Sequence, residues 1–239
     1  MKKILISVLT IFSRFIYKLI PIEFKREKKN DLSELVFNYG LNESFNYFKP
    51  HFKKSVLFDN GQSIRDYAIR SALLNDKNLE YFHLEFGVYN GGSANMFSNY
   101  VKKLYAFDSF EGLSNDWVGR LNRPKGFFNR NGKLPKLNSN VEPVVGWVED
   151  TLDSFLNSHK PKINFIHFDM DTYGPTKFTL MKVKTYLSKN AILIFDDFYN
   201  YFGWDQGEYK AFLEVFNETE FEYKAFDLKS KKCVIQIKN

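Results

Sequence analysis

The chain has 239 residues, of which 44% are hydrophobic and 18% aromatic, enough apolar material for one well-buried core and too short for two large domains. A single cysteine, Cys233, excludes a disulfide framework and any Cys-rich zinc cluster, and points to a reducing compartment. The net charge of +6 is confined to one place: residues 1–30 hold eight of the 34 basic residues and two of the 28 acidic ones, leaving 26 of each beyond. A body that balances to zero lacks the broad positive footprint of nucleic-acid binding.

Residues 1–30 form a basic amphipathic arm. Ile4, Leu5, Val8, Leu9, Phe12, Phe15, Ile16, Leu19 and Ile20 fit one broad apolar face of a helix, and Lys-Arg-Glu-Lys-Lys follows at 25–29. Arg14 and Lys18 interrupt the run, so the arm is too short and too charged to span a bilayer. The expectation is a helix packed on the domain, an export signal, or peripheral contact with an anionic membrane, which would put a cytoplasmic protein at the inner face of the membrane.

Residues 31–239 read as one α/β domain. A helix over Ser63–Leu74 is followed by strands at Tyr81–Phe86, Lys103–Phe107, Pro143–Trp147, Ile163–Phe168, Ala191–Phe195, Phe221–Phe226 and Cys233–Ile237. Helices near Ser93–Val101, Glu149–Leu156, Pro175–Leu187 and Gln206–Phe216 alternate with them. The pattern predicts a doubly wound, mostly parallel sheet of seven strands, with an antiparallel pair at its C-terminal edge. Ligands then belong outside the carboxyl ends of the strands. An insertion at 114–140, rich in Asn, Gly, Lys and Pro and carrying Trp117, Arg120, Arg123, Phe127 and Phe128, reads either as a ligand-covering lid or as a mobile insertion. As a lid, its aromatics would cover a ligand face, and its arginines would meet a phosphate or carboxylate.

The first strand end, Glu85-Phe-Gly87-Val-Tyr89-Asn-Gly91-Gly-Ser93, is a Gly-rich turn into a helix, where free N–H groups can meet an anion. Its spacing is not that of a dinucleotide fingerprint. About 20 residues on, Asp108 ends the second strand, placed to accept from ribose hydroxyls. Asp169 and Asp171 follow the fourth strand and Asp196 and Asp197 the fifth. Four carboxylates in one cleft need a cation or a proton, and hard oxygen ligands without a Cys/His cluster suit Mg2+ or Mn2+.

Five ordered motifs between about residues 60 and 220 resemble the macrocin O-methyltransferase family of class I S-adenosylmethionine-dependent enzymes, which have a Rossmann-like fold. They are the Glu85–Ser93 turn, Phe107-Asp-Ser-Phe-Glu-Gly-Leu113, Gly146-Trp-Val-Glu-Asp-Thr-Leu152, His167-Phe-Asp-Met-Asp-Thr-Tyr173 and Phe195-Asp-Asp-Phe-Tyr-Asn-Tyr201. The first is also similar to the corresponding turn of catechol O-methyltransferase. The resemblance implies a sugar O-methyltransferase with divalent-metal assistance, acting on a small-molecule or glycan acceptor such as a polysaccharide precursor. It implies Glu85, Gly87, Tyr89, Gly91 and Ser93 around the methionine half of the cofactor, Asp108 on the ribose, and Ser109, Gly146 and Trp147 near the adenosine. It implies Asp169, Asp196 and Asp197 as metal ligands, with Asp169 also the base. Phe198 and Met170 depart from the family pattern. Two other readings stand beside it: a nicotinamide-dependent Rossmann oxidoreductase, disfavoured by the glycine spacing and the aspartates, and a non-catalytic nucleotide-binding, membrane-tethered protein. The oligomeric state, a homo-oligomer included, stays open.

Overall fold

The computed structural model describes residues 32–74, 76 and 78–238. The helix expected in the arm lies outside them. The chain divides into two units, residues 1–38 and 39–239. The described part of the first is the opening of helix α1 (Leu32–Phe52), and the second holds the remaining elements.

These are β1 (Val56–Phe58), α2 (Gly61–Leu73), β2 (Phe82–Phe86), α3 (Gly92–Ser98), β3 (Leu104–Asp108), β4 (Val141–Val145), α4 (Val148–His159) and β5 (Ile163–Phe168). After them come α5 (Tyr173–Val183), β6 (Leu187–Phe195), α6 (Glu208–Val215), β7 (Phe221–Asp227) and β8 (Cys233–Ile237). One sheet takes the order β1-β7-β8-β6-β5-β2-β3-β4. All neighbours are parallel except β8, which runs antiparallel to both β6 and β7. The sheet thus holds the seven expected strands and an eighth, β1, which lies beyond the antiparallel pair and takes the edge position.

Both faces of the central strands are covered, so even their polar members, such as His83 and Glu85 of β2 and Asn164 and His167 of β5, are buried. Leu84, Phe86, Ile166, Phe168, Leu193 and Phe195 share one face and one core with Leu152 of α4, Leu180 of α5 and Phe212 of α6. Phe165, Ile192, Ile194 and Val234 point to the other, against Ile64 and Ile69 of α2 and Phe97 of α3.

Candidate active site

The ladder continues past the strand ends and lines up the loops. Gly146 N–H donates to Asp108 O (3.1 Å), Gly87 N–H to Phe107 O (2.9 Å), Asp169 N–H to Phe86 O (2.8 Å) and Asp196 N–H to Phe168 O (2.9 Å). Five loops therefore open side by side at the carboxyl edge. They surround a cavity of about 380 Å³.

Gly87 is where this alignment requires glycine. Its φ is +90°, and a Cβ there would lie 1.9 Å from the Asp169 carbonyl oxygen. The turn after β2 and the aspartate loop after β5 are thus in backbone contact.

Of the residues expected around the cofactor, Gly87, Tyr89, Asp108, Ser109, Gly146 and Trp147 line the cavity. Gly91 and Ser93 do not. Gly91 caps α3 with φ +80°, and its open side faces Leu137 of the insertion. Asp108 also braces the backbone around it. Its Oδ2 accepts the N–H groups of Val88 (2.7 Å) and Tyr89 (2.8 Å), and its Oδ1 accepts Phe110 N–H (2.7 Å). The carboxylate shapes the glycine turn as well as facing the cavity.

Glu85 is fully buried on the far face of the sheet. Parallel register sets it opposite His167, and Glu85 Oε1 lies 2.8 Å from His167 Nδ1. His167 Nε2 lies 3.3 Å from Asp196 Oδ1. Burial alone would lower the imidazole pKa, but hydrogen bonds to Asp196 and Glu85 outweigh it and raise it to about 9. His167 is thus packed in the core and held toward its protonated form between two carboxylates.

Asp196 also meets Arg65 Nη2 (2.5 Å, Oδ1) and Lys232 Nζ (3.0 Å, Oδ2). Burial would raise its pKa, yet the His167 hydrogen bond and the Arg65 and Lys232 charges hold it far below the usual carboxylate range. Lys231 Nζ lies 2.6 Å from Asp197 Oδ1. Among the described residues no Lys, Arg or His forms an ion pair with Asp169 or Asp171. Burial, then the Asp196 charge, pushes Asp169 well up; burial, then Asp197 and Asp169, does the same for Asp171.

Carboxylate oxygens of Asp169, Asp171 and Asp197 lie within 4.8 Å of one another, and so do ligand atoms of His167, Asp169 and Asp196. The donor set fits a hard divalent cation: clustered carboxylates whose mutual repulsion a proton or an ion must relieve. Among the described residues Asp169 and Asp171 have no ion-pair partner, whereas both oxygens of Asp196 already face cations.

Asp171, read from the sequence as one of four clustered carboxylates, lines the cavity, whereas Glu208, whose position in the chain suits the acceptor side, does not. Glu208 Oε2 accepts Asp197 N–H (3.1 Å) while Oε1 is buried without a hydrogen-bond partner. Burial, then the Asp197 charge, raises its pKa well above normal. The Asp-x-Asp spacing at 169–171 was the signal for Asp171; nothing in the sequence placed Glu208 under the turn after β6. Tyr199, Tyr201 and Trp204, which follow β6, are buried in the apolar core and do not line the cavity.

The insertion is bound to the domain rather than draped over it. Leu113 N–H donates to Phe127 O, and Leu113 O accepts from Gly126 N–H (2.9 Å each). Asn138 Nδ2 donates to Ser98 Oγ (2.9 Å), and Asn140 Nδ2 to the carbonyls of Ser98 (2.8 Å) and Val101 (2.9 Å) at the end of α3. Ser114, Trp117, Arg120, Arg123 and Phe128 form its contribution to the cavity wall.

A family model described as a methyltransferase domain matches residues 84–198. Among curated proteins none matches the sequence. The fold is similar to that of the calicheamicin methyltransferase CalS11, with a TM-score of 0.59 at 20% identity over 73% of this chain and 77% of that one. An apo structure of CalS11, described as a TDP-rhamnose 3'-O-methyltransferase of calicheamicin biosynthesis, gives 0.54 at 22% identity over 73% and 78%. The O-methyltransferase NovP gives 0.53 at 17% identity over 74% and 79%. At these identities the likeness is one of fold. Residues 84–198 thus match a methyltransferase-domain model, and the chain has a Rossmann-like α/β fold similar to that of class I methyltransferase structures.

Proposed function

We propose that the protein is an S-adenosylmethionine-dependent O-methyltransferase that acts on a sugar hydroxyl of a glycan or polysaccharide precursor, with a divalent ion at the aspartate cluster. The narrower likeness to the macrocin O-methyltransferases belongs to this proposal. The observation that carries it is a single cavity bounded on one side by Gly87, Asp108, Gly146 and Trp147 and on the other by Asp169, Asp171, Asp196 and Asp197.

When bound, the cofactor supplies a methyl group on a sulfonium, and the ion lowers the pKa of the acceptor hydroxyl. The chain's own residues do the rest. Asp108 orders the turn on which the nucleoside lies and has lone pairs left for ribose hydroxyls. Asp169 and Asp197 would hold the ion, joined by Asp171 as the structure stands or by Asp196 if it gives up a cation. The hydroxyl proton goes to a carboxylate of this cluster, Asp169 or Asp171, whose raised affinities for a proton suit a general base. Arg65, Lys232 and His167 anchor Asp196 and keep the turn after β6 fixed.

The test is methyl transfer from labelled cofactor across a panel of glycan precursors, with calorimetry against S-adenosylmethionine and NAD. Excess chelator should abolish turnover and Mg2+ or Mn2+ restore it, while the affinity for S-adenosylhomocysteine changes by no more than a few-fold. Full turnover in chelator would remove the ion and leave a plain general base. Preference for NAD would replace the whole reading with the oxidoreductase.

The arm at 1–30 is proposed to hold the enzyme reversibly against the anionic inner face of the membrane. Among the described residues no helix is long and apolar enough to cross a membrane.

A further inference from the structure

Two arginines in the cavity wall have no counter-charge. Arg120 and Arg123 both line the cavity, and among the described residues no Asp or Glu forms an ion pair with either. The arginines of α2 differ: Arg65 is paired with Asp196 and Arg70 with Asp66.

Aromatic rings hold the pair in place. The Arg120 guanidinium lies 4.9 Å from the Trp117 ring centroid and 5.3 Å from that of Tyr201. Arg123 lies 4.2 Å from the Phe127 centroid and 5.9 Å from that of Phe128. Contact through the flat face fixes a guanidinium while leaving its N–H edge available. Arg120 Nε is buried with no hydrogen-bond partner, and the one hydrogen bond from Arg123 goes to its neighbour's carbonyl, Asn122 O (3.1 Å).

A buried, unpartnered charged donor is unfavourable unless something arrives to accept from it. The same cavity is lined by the strand-end aspartates, so it brings groups of both signs together. A ligand that fits has a hydroxyl for the aspartates and an oxyanion for the arginines. Two guanidinium forks, three residues apart on separate aromatic supports, offer more directed N–H bonds than one carboxylate takes up, and they suit phosphoryl oxygens.

Resting on the methyltransferase reading, we propose that the acceptor is a sugar carrying a phosphate or diphosphate ester, and that Arg120 and Arg123 bind that group while the sugar hydroxyl reaches the aspartate cluster. The pair acts in acceptor binding and selection, not in cofactor binding.

Calorimetry on the full chain, saturated with S-adenosylhomocysteine, tests this with inorganic pyrophosphate, inorganic phosphate and glucuronate as probes. Pyrophosphate should bind, more tightly than phosphate or glucuronate, and its affinity should fall as NaCl is raised. Arg120→Gln and Arg123→Gln should each weaken pyrophosphate at least tenfold and leave S-adenosylhomocysteine affinity within twofold, which also reports that the variants are folded. Should Arg120→Gln disturb the packing on Trp117, Arg123→Gln carries the test, since its ring contacts belong to the insertion alone. Glucuronate binding best would overturn the phosphoryl assignment. Pyrophosphate that fails to bind, or binds undiminished in both variants, would overturn the arginine site and leave the methyltransferase reading standing. Loss of S-adenosylhomocysteine affinity in the variants would reassign the pair to the cofactor's own carboxylate. Failure of the wild-type chain to bind S-adenosylhomocysteine would overturn both.

Discussion

Asp108 shows why one side chain can answer to two selections. It accepts three backbone N–H groups from the segments on either side of it, so its removal both unties the glycine turn and deletes a ribose acceptor. Asp108→Ala should lower stability by about 2 kcal/mol and weaken S-adenosylhomocysteine at least tenfold, read by urea melts and calorimetry. Unchanged affinity in a folded variant would end the ribose assignment. His83 provides a pH signature that owes nothing to the active site. Burial lowers its pKa to about 4, with only partial opposition from Asp76, 3.4 Å away. Because the folded form disfavours the proton, His83 adds stability above its unfolded pKa of about 6.5, and this is lost as pH falls toward 4. The wild type should lose about 2 kcal/mol between pH 7 and pH 5 relative to His83→Gln, a difference that cancels other titrating groups. Parallel pH profiles of the two proteins would show that His83 keeps its ordinary affinity for protons.

At the scale of elements, the contact between the turn after β2 and the Asp169 loop is the most demanding piece of geometry. Gly87→Ala must place a methyl group on a carbonyl oxygen and adopt a left-handed φ, so a destabilisation of about 3 kcal/mol or more is expected in thermal or urea unfolding. A loss under 1 kcal/mol would mean that the two loops part easily. What the sequence made legible follows from the same physics. β5 and β8 were readable to the residue because each is a short, mostly apolar and β-branched or aromatic segment bounded by charged residues, Lys162 and Asp169 for β5 and Lys232 and Lys238 for β8. β1 was not: it has three residues, with Val56 and Leu57 close to half exposed, and its partner β7 lies about 170 positions away. The strand-end aspartates could be seen as a group, since topology alone puts those ends together. Their division into Asp196, surrounded by cations, and Asp169 with Asp171, lacking them, depends on Arg65, Lys231 and Lys232, which no local spacing connects to the cluster. Glu85 was expected beside the cofactor, but strand alternation turns it to the other face, where parallel register hands it His167.

Over the whole molecule, the charge surplus and the chemistry belong to different parts of the chain. If residues 1–30 serve attachment, deleting them should abolish co-sedimentation with anionic vesicles while methyl transfer to a soluble acceptor and the melting temperature stay unchanged. Each Lys or Arg near such a surface contributes about 1 kcal/mol, so binding by the full chain should weaken steeply with salt. Equal sedimentation of both proteins would refute the membrane role, and a lower melting temperature on truncation would assign the arm to the fold. The anchored insertion has a bearing on kinetics. Asn138 and Asn140 fasten its far end to α3, and Leu113 ties its near end to Phe127, so this part of the cavity wall is held by the domain's own hydrogen bonds. Rapid mixing with S-adenosylhomocysteine should therefore give one exponential whose rate rises linearly with concentration, with no plateau from a slow isomerisation step. Turnover in such an enzyme is paced by collision, chemistry or departure of product, and not by the swing of a gate.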